Sequence, residues 1–312
     1  MEILLKNNRN IAYNVMTCLE FTDKYNLCIT NKDSFKYKFK KYKHQELIKI
    51  EFKDHLLTKK WKNIKFVINL SESNIIDVSM LGHTLDLSCC QNIKDLSMLG
   101  NVHTLKLAMC KNIKDVSMLG HTLDLSRNKN IKDVSMLGNV CNLNLSFTKN
   151  ITDVSMLGHT LNLSFCTNIK MLGNVKTMWN CHTLDLSYCE NIIDVSMLGN
   201  VNTLNLSGCK NITNVSMLGN VHTLNLSFCN ITDISMLINV YYLNLEFCQN
   251  IKDESMLKNN CDKIEWNCNS INLGSTKIKN VSMFKNINKI TLYNCQNITD
   301  ISMLRNAHTL NL

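Results

Sequence analysis

A unit of about 20 residues, repeated in phase over most of the chain, constrains the fold more than any other feature of the sequence. Val201–Leu218 reads VNTLNLSGCKNITNVSML and Val221–Leu237 reads VHTLNLSFCNITDISML. With the second leucine of each L-x-L as a ruler, thirteen marks run from Leu70 through Leu145 and Leu226 to Leu312. In T-L-N-L-S the leucines alternate with polar residues, so a short strand turns Leu224 and Leu226 inward and Thr223, Asn225 and Ser227 outward. A unit this short leaves no room for a long helix. The D-V-S-M-L segment that follows suits one short helical turn, capped by its Asp or Ser. The chain is expected to climb as a flat coil, stacking its strands about 4.8 Å apart in a parallel sheet.

The pattern L-x-L-x-x-C/N-x-x-I-x-D-x-S-x-L, from about Lys65 to Leu312, resembles leucine-rich repeats, and among them the internalin-like type with short turns on the convex side. The resemblance implies an α/β solenoid: a leucine-rich-repeat horseshoe with a parallel β-sheet on its concave face and short turns or 3-10 helices on its convex face. A small helical N-terminal segment precedes it. The expected boundaries are 1–62 for that segment and 63–312 for a solenoid of 12–13 coils. Irregular coils are expected where Gly82-His83, Gly120-His121 and Gly158-His159 lack the usual Asn-Val pair, at Ile169-Lys170-Met171, and in the long stretch between Lys258 and Ile271.

Several residue types recur as columns. Cysteines stand after the strand at Cys90, Cys110, Cys166, Cys189, Cys209, Cys229, Cys248 and Cys295, with Asn128 in the same place. They form no C-x-x-C pair of the kind zinc sites use. In leucine-rich repeats this position turns inward to satisfy backbone groups, so the ladder is read as structural, and no metal or cofactor is expected. Seven of the nine histidines precede a strand leucine by two residues, as at His103 and His222, and are read as copies of one duplicated position. Asp95, Asp115, Asp133 and their counterparts likewise occupy one repeat position. No nucleophile elbow, phosphate loop or H-E-x-x-H helix occurs, so no catalytic residues are assigned and a non-enzymatic protein is expected.

The middle strand column, including Asn144, Asn162 and Asp185, is polar and monotonous. The position after the strand serine is more varied, running Cys89, Met109, Arg127, Phe147, Phe165, Tyr188, Gly208, Phe228 and Phe247. Aromatic residues and Arg dominate protein-interface hot spots. These side chains either cover the rim of the core between neighbouring coils or anchor a partner, and on the second reading Arg127, Phe147, Phe165 and Tyr188, with Asn144, Asn162 and Asp185 on the concave face, are the candidate partner-binding residues.

The first 66 residues differ from the repeats. They hold 15 Lys and Arg against 7 Asp and Glu, whereas the remaining 246 hold 19 against 18, so the formal net charge of +9 lies almost wholly in this segment. Val15–Phe35 (VMTCLEFTDKYNLCITNKDSF) resembles a divergent F-box. The apolar spacing of Ile11, Val15, Met16 and Leu19, then Tyr25, Leu27, Cys28, Ile29 and Phe35, suggests two or three short helices, and the F-box resemblance implies contacts to a Skp-type adaptor through Val15, Leu19, Leu27, Ile29 and Phe35. The Leu-Pro that usually opens an F-box is replaced by Asn7 and Asn8. Nearby, FKYKFKKYK (Phe35–Lys43) interleaves aromatics with lysines, a composition that also suits nucleic acid or another anionic surface.

The combination resembles F-box and leucine-rich-repeat proteins, including those of large DNA viruses of amoebae. It implies a protein-interaction scaffold whose solenoid holds a protein partner and whose N-terminus couples that partner to a cullin-type ubiquitin ligase. The alternative is a nucleic-acid or anionic-surface binder acting through the basic segment. No stretch reaches the roughly 18 apolar residues of a membrane span, and Met1–Tyr13 lacks the apolar core of a signal peptide. An intracellular, cytoplasmic protein (host cytoplasm if viral) with reduced thiols is expected. Because the chain stops at Leu310-Asn311-Leu312, in mid-strand, either end-to-end self-association through residues 290–312 or fraying of the last coil is expected.

Overall fold

From residue 84 onward, each described coil opens with a three-residue strand whose central residue is apolar and faces inward, as the alternation in T-L-N-L-S requires. The computed structural model describes residues 26–30, 35–38, 65–69, 84–100, 102–117, 119–157, 159–169, 181–251 and 266–312. These fall into two compact units, residues 1–144 and 145–312.

The first unit contains β1 (Asn26–Thr30), β2 (Phe35–Lys38), β3 (Lys65–Asn69), β4 (Thr84–Asp86), β5 (Thr104–Lys106), β6 (Thr122–Asp124) and β7 (Asn142–Asn144). Strands β3 to β7 pair in parallel, with Leu85, Leu105, Leu123 and Leu143 in register. β1 is antiparallel to both β2 and β3, so this hairpin continues the sheet beyond the first coil. Here the structure departs from the residue pattern. Leu27 and Ile29 lie in β1 and Phe35 in β2, where short helices were expected. The physical reason is the free edge of β3, whose unpaired backbone groups β1 satisfies. Val15 and Leu19 lie outside the described residues.

The second unit contains β8 (Thr160–Asn162), β9 (Thr183–Asp185), β10 (Thr203–Asn205), β11 (Thr223–Asn225), β12 (Tyr242–Asn244), β13 (Ser270–Asn272), β14 (Lys289–Thr291) and β15 (Thr309–Asn311). All pair in parallel with no slip, so that Leu161, Leu184, Leu204, Leu224, Leu243, Ile271, Ile290 and Leu310 form one row. The solenoid read from the leucine spacing is thus the fold of both units. Except at β15, where Leu310 is half-buried, the central row of this unit is buried. Full burial of one such side chain stabilises by about 1.5–3 kcal/mol.

On the side opposite the strands, S-M-L forms a 3-10 turn in most coils, including Ser97–Leu99, Ser135–Leu137, Ser216–Leu218 and Ser235–Leu237. The leucine of the turn points inward and closes the core. The glycine after it has a steric cause: a Cβ on Gly219 would lie 2.4 Å from the carbonyl oxygen of Met236 on the next coil. Two coils lacking the Asn-Val pair are irregular, as expected. Around Ser117 and Ser155 the described residues form bends and turns without a 3-10 helix, and His159 takes a left-handed φ of 62°. The other expected irregularities fall largely outside the described residues.

The recurring aspartates act one step earlier than a helix cap. Oδ1 of Asp95, Asp115, Asp133, Asp153, Asp194, Asp233 and Asp300 accepts a hydrogen bond from the backbone N–H of the serine two residues on, at 2.8–2.9 Å. Asn214 and Asn280 do the same with an uncharged oxygen, at 3.0 and 2.9 Å. These Asx turns fix the direction from which the chain enters the 3-10 turn. Bonds from the serine backbone and hydroxyl hold the carboxyls of Asp95, Asp115, Asp133, Asp194 and Asp300 below the ordinary aspartate range.

Because these folded-state values are depressed, the stabilisation is complete above the unfolded value of about 4 and disappears as pH falls through the folded values. Replacing several of these aspartates by Asn, as the chain does at 214 and 280, is expected to keep the turns and flatten the loss of stability between about pH 4 and pH 2. Denaturant titration across that range checks this, and an unchanged acid limb would contradict it.

Candidate interaction surface

Beyond each strand the inter-coil bonding does not stop. Leu206 N–H donates to the Asn225 carbonyl at 2.8 Å, and Gly208 N–H, two residues further, donates to the Ser227 carbonyl at 2.8 Å. The same pair of bonds recurs at Leu163 and Phe165, at Leu186 and Tyr188, and at Leu226 and Phe228. To donate at that point and then fold back, the chain takes a left-handed conformation. Cys89, Met109, Arg127, Phe147, Phe165, Tyr188, Phe228 and Phe247 all have φ between 57° and 64°, and Gly208 has 72°.

This column is the one from which the sequence suggested partner anchors. Its backbone conformation was not anticipated, although a glycine standing among aromatic residues was the available signal. Left-handed φ is costly for bulky residues, and repeated bonding to the next coil holds them there.

In the second unit the column gathers aromatic rings into rows. Phe147 stacks on Phe165 with centroids 4.4 Å apart and planes within 7°, and Phe165 stacks on Tyr188 at 4.6 Å and 8°. Phe228 and Phe247 form a second stack at 4.6 Å. Between the stacks Gly208 supplies no ring, and Tyr188 leans over it, so that a Cβ at 208 would lie 2.6 Å from Tyr188 Cδ1. The rings are partly covered, with Tyr188 37% and Phe228 43% exposed.

Asn162 and Asp185 are half-buried in the neighbouring strands. Each spends one side-chain oxygen on its own chain, accepting from Ser164 N–H at 3.0 Å and Ser187 N–H at 2.8 Å. The middle column therefore shapes the strand end as well as lining the sheet face. In the first unit, Arg127 is exposed at its left-handed corner and Asn144 is half-buried in β7. A polar cluster that the repeat pattern did not reveal lies further along the second unit. Glu246 replaces the buried serine, and its carboxylate accepts from Asn272 Nδ2 at 3.2 Å and from the Tyr293 hydroxyl. The departure of Glu246 from the serine column was its only sequence signal.

The cysteine column lies behind the aromatic one. The thiols of Cys166, Cys189, Cys209, Cys229 and Cys248 donate to the carbonyls of Leu145, Leu163, Leu186, Leu206 and Leu226, one coil back, at 3.0–3.1 Å. In the first unit Cys110 donates to Leu87 at 3.1 Å, and Asn128 fills the same role with its amide, donating to Leu107 at 2.7 Å and to Leu125 at 2.9 Å. The inward structural role expected from the repeat is what the structure shows. Among the described residues from 84 onward, the twelve cysteines are free thiols. Among the described residues no group of three or more His, Cys, Asp or Glu is arranged to hold a metal ion.

A description of a leucine-rich repeat matches residues 220–236. An internalin, InlF, from Listeria monocytogenes strain 4b F2365 has a similar structure, with a TM-score of 0.50 and 23% identity over 78% of this chain and 79% of that one. The functional domain of InlJ from Listeria monocytogenes, described as including a cysteine ladder, gives a TM-score of 0.40 and 18% identity over 75% of this chain and 50% of that one. No protein with a curated description matches the chain. The likeness to InlF concerns the fold, which is that of a leucine-rich-repeat solenoid. Among the described residues, no helix is long and apolar enough to cross a membrane.

Burial pushes the thiols of Cys110, Cys166, Cys209, Cys229 and Cys248 up to about 12 and raises that of Cys189 as well, so they stay protonated and able to donate. A raised folded value gives stabilisation that is complete below the unfolded thiol value of about 8.5 and is lost as pH rises toward the folded one. Two results are expected. Stability falls with increasing pH above about 8.5, and iodoacetamide labels these thiols slowly in native protein at pH 8 but rapidly in denaturant. Peptide mapping checks the second, and equal native and denatured labelling would contradict it.

Proposed function

We propose that the chain is a non-enzymatic protein-interaction scaffold and that its second unit binds a protein partner through Phe147, Phe165 and Tyr188, with Asn162 and Asp185 beside them. The observation that carries this reading is the row of stacked, partly exposed rings held at fixed corners of the solenoid. Such rings are already ordered, so a partner meets large contact area at little further entropic cost. Arg127 and Asn144 are the corresponding contacts proposed for the first unit.

A finer form of the proposal makes the chain a substrate receptor of a cullin-type ligase, with a Skp-type adaptor contacting Val15, Leu19, Leu27, Ile29 and Phe35. The F-box-like sequence supports it, and the β1–β2 hairpin at the last three of these residues weighs against it. Pull-down of full-length protein separates the two forms: recovery of an adaptor supports the ligase receptor, and its absence from a well-folded preparation leaves the scaffold alone.

For the scaffold itself, a partner isolated with the full chain is expected to bind a Phe165→Ala/Tyr188→Ala variant at least about tenfold more weakly, as loss of hot-spot side chains does. Circular dichroism and thermal unfolding confirm that the variant is folded. Unchanged affinity in a folded variant would overturn the assignment of the surface.

A further inference from the structure

The sequence repeats a second sulfur-bearing residue as regularly as cysteine: the methionine of S-M-L. In the structure five of the described members of this column face solvent. Met136 is 65% exposed, Met156 60%, Met217 60%, Met236 54% and Met303 50%. Met217 and Met236 stand on successive 3-10 turns of the second unit, Ser216–Leu218 and Ser235–Leu237, and the adjoining turn Ser196–Asn200 carries the half-buried Met197. The leucine next to each methionine closes the core, so the methionine itself contributes little to packing.

We propose that this exposed methionine column is a modification site for two-electron oxygen-transfer oxidants of the peroxide class, and that it reacts before the buried cysteine ladder. In the step, the thioether sulfur of Met217 attacks one oxygen of hydrogen peroxide. The S–O bond forms as the O–O bond breaks, the departing hydroxide takes the proton left on the sulfur-bound oxygen and leaves as water, and the methionine is oxidised to its sulfoxide while the peroxide is reduced. No base and no ionisation of the sulfur is needed, so exposure governs the rate.

Cysteine normally reacts first, because its thiolate is the better nucleophile. Here that order is inverted by position. Cys209 and Cys229 are 0% and 1% exposed, and their protons are committed to the carbonyls of Leu186 and Leu206. A thiol pushed up to about 12 also carries far less thiolate at neutral pH than an ordinary one, by about a thousandfold. Oxidation therefore turns an apolar ridge into a polar one while leaving the core intact. This inference is independent of the partner-binding reading of the aromatic rows.

The test exposes native full-length protein at neutral pH to hydrogen peroxide, followed by quenching, alkylation in denaturant and peptide mapping. Sulfoxide at Met136, Met156, Met217 and Met236 is expected to form at least about tenfold faster than Cys166, Cys189, Cys209, Cys229 and Cys248 lose the capacity to be alkylated. Met197 should lag behind Met217, and circular dichroism should be unchanged when the exposed column is fully oxidised. Ladder thiols lost as fast as these methionines react would overturn the proposal, as would unfolding that precedes sulfoxide formation. A Met217→Leu/Met236→Leu variant is a further check, because it removes sulfoxide at those positions without changing the rate at Met136 or Met156. Altered rates at the remaining methionines would show that oxidation follows unfolding and not exposure.

Discussion

Hydrogen bonding between successive coils is the interaction on which the rest of each unit depends. A coil of about 20 residues buries too little to stand alone, so it is stable only when its neighbours pair with its backbone and cover its leucines. Pairing runs through the three-residue strand and continues for two further donors, ending at the left-handed corner. Everything described as a column follows from that register. Once Leu204 lies opposite Leu224, the cysteine, aromatic, aspartate and methionine positions of those coils are brought into line as well.

The corner shows how the constraint outweighs local preference. A lone Phe or Tyr disfavours left-handed φ, yet Phe165, Tyr188, Phe228 and Phe247 adopt it because each amide has a carbonyl waiting on the next coil. Stacking between neighbouring rings adds to the effect in the same direction. Behind the corner, the inward polar position donates to a strand carbonyl, one coil back in most cases. A thiol does so in most coils, an amide in one, and Thr276 donates instead to Leu273 of its own coil at 2.7 Å. Residues with different chemistry can occupy the site because the requirement is a short side chain with a proton to give.

Most of the fold was legible in the sequence because period, alternation and in-phase copying all point the same way. The leucine ruler places the strands β3 to β15, and the shortened coils at Gly120-His121 and Gly158-His159 are irregular where the missing pair of residues says they should be. Legibility ended where the repeat ended. The hairpin β1–β2 forms a sheet edge in a segment whose apolar spacing suggested helices, and its pairing with β3 is a long-range contact that no local pattern encodes. The candidate surface was legible only in composition. The aromatic residues were visible, but their shared left-handed backbone, the ring stacks and the occupation of Asn162 and Asp185 by their own serine amides arise from packing between coils. Glu246, joined to Tyr293 and Asn272, was hidden because its partners lie one and two coils away.

The claim that inter-coil bonding extends past the strands to fix the corners is tested most directly by residue-resolved amide hydrogen exchange. If it holds, the amides of Tyr188, Gly208 and Phe228, which lie in segments that look like surface turns, exchange as slowly as the strand-end amides of Leu186, Leu206 and Leu226 and are released in the same cooperative openings. Corner amides that exchange at the rate of exposed loops while the leucine amides stay protected would contradict it.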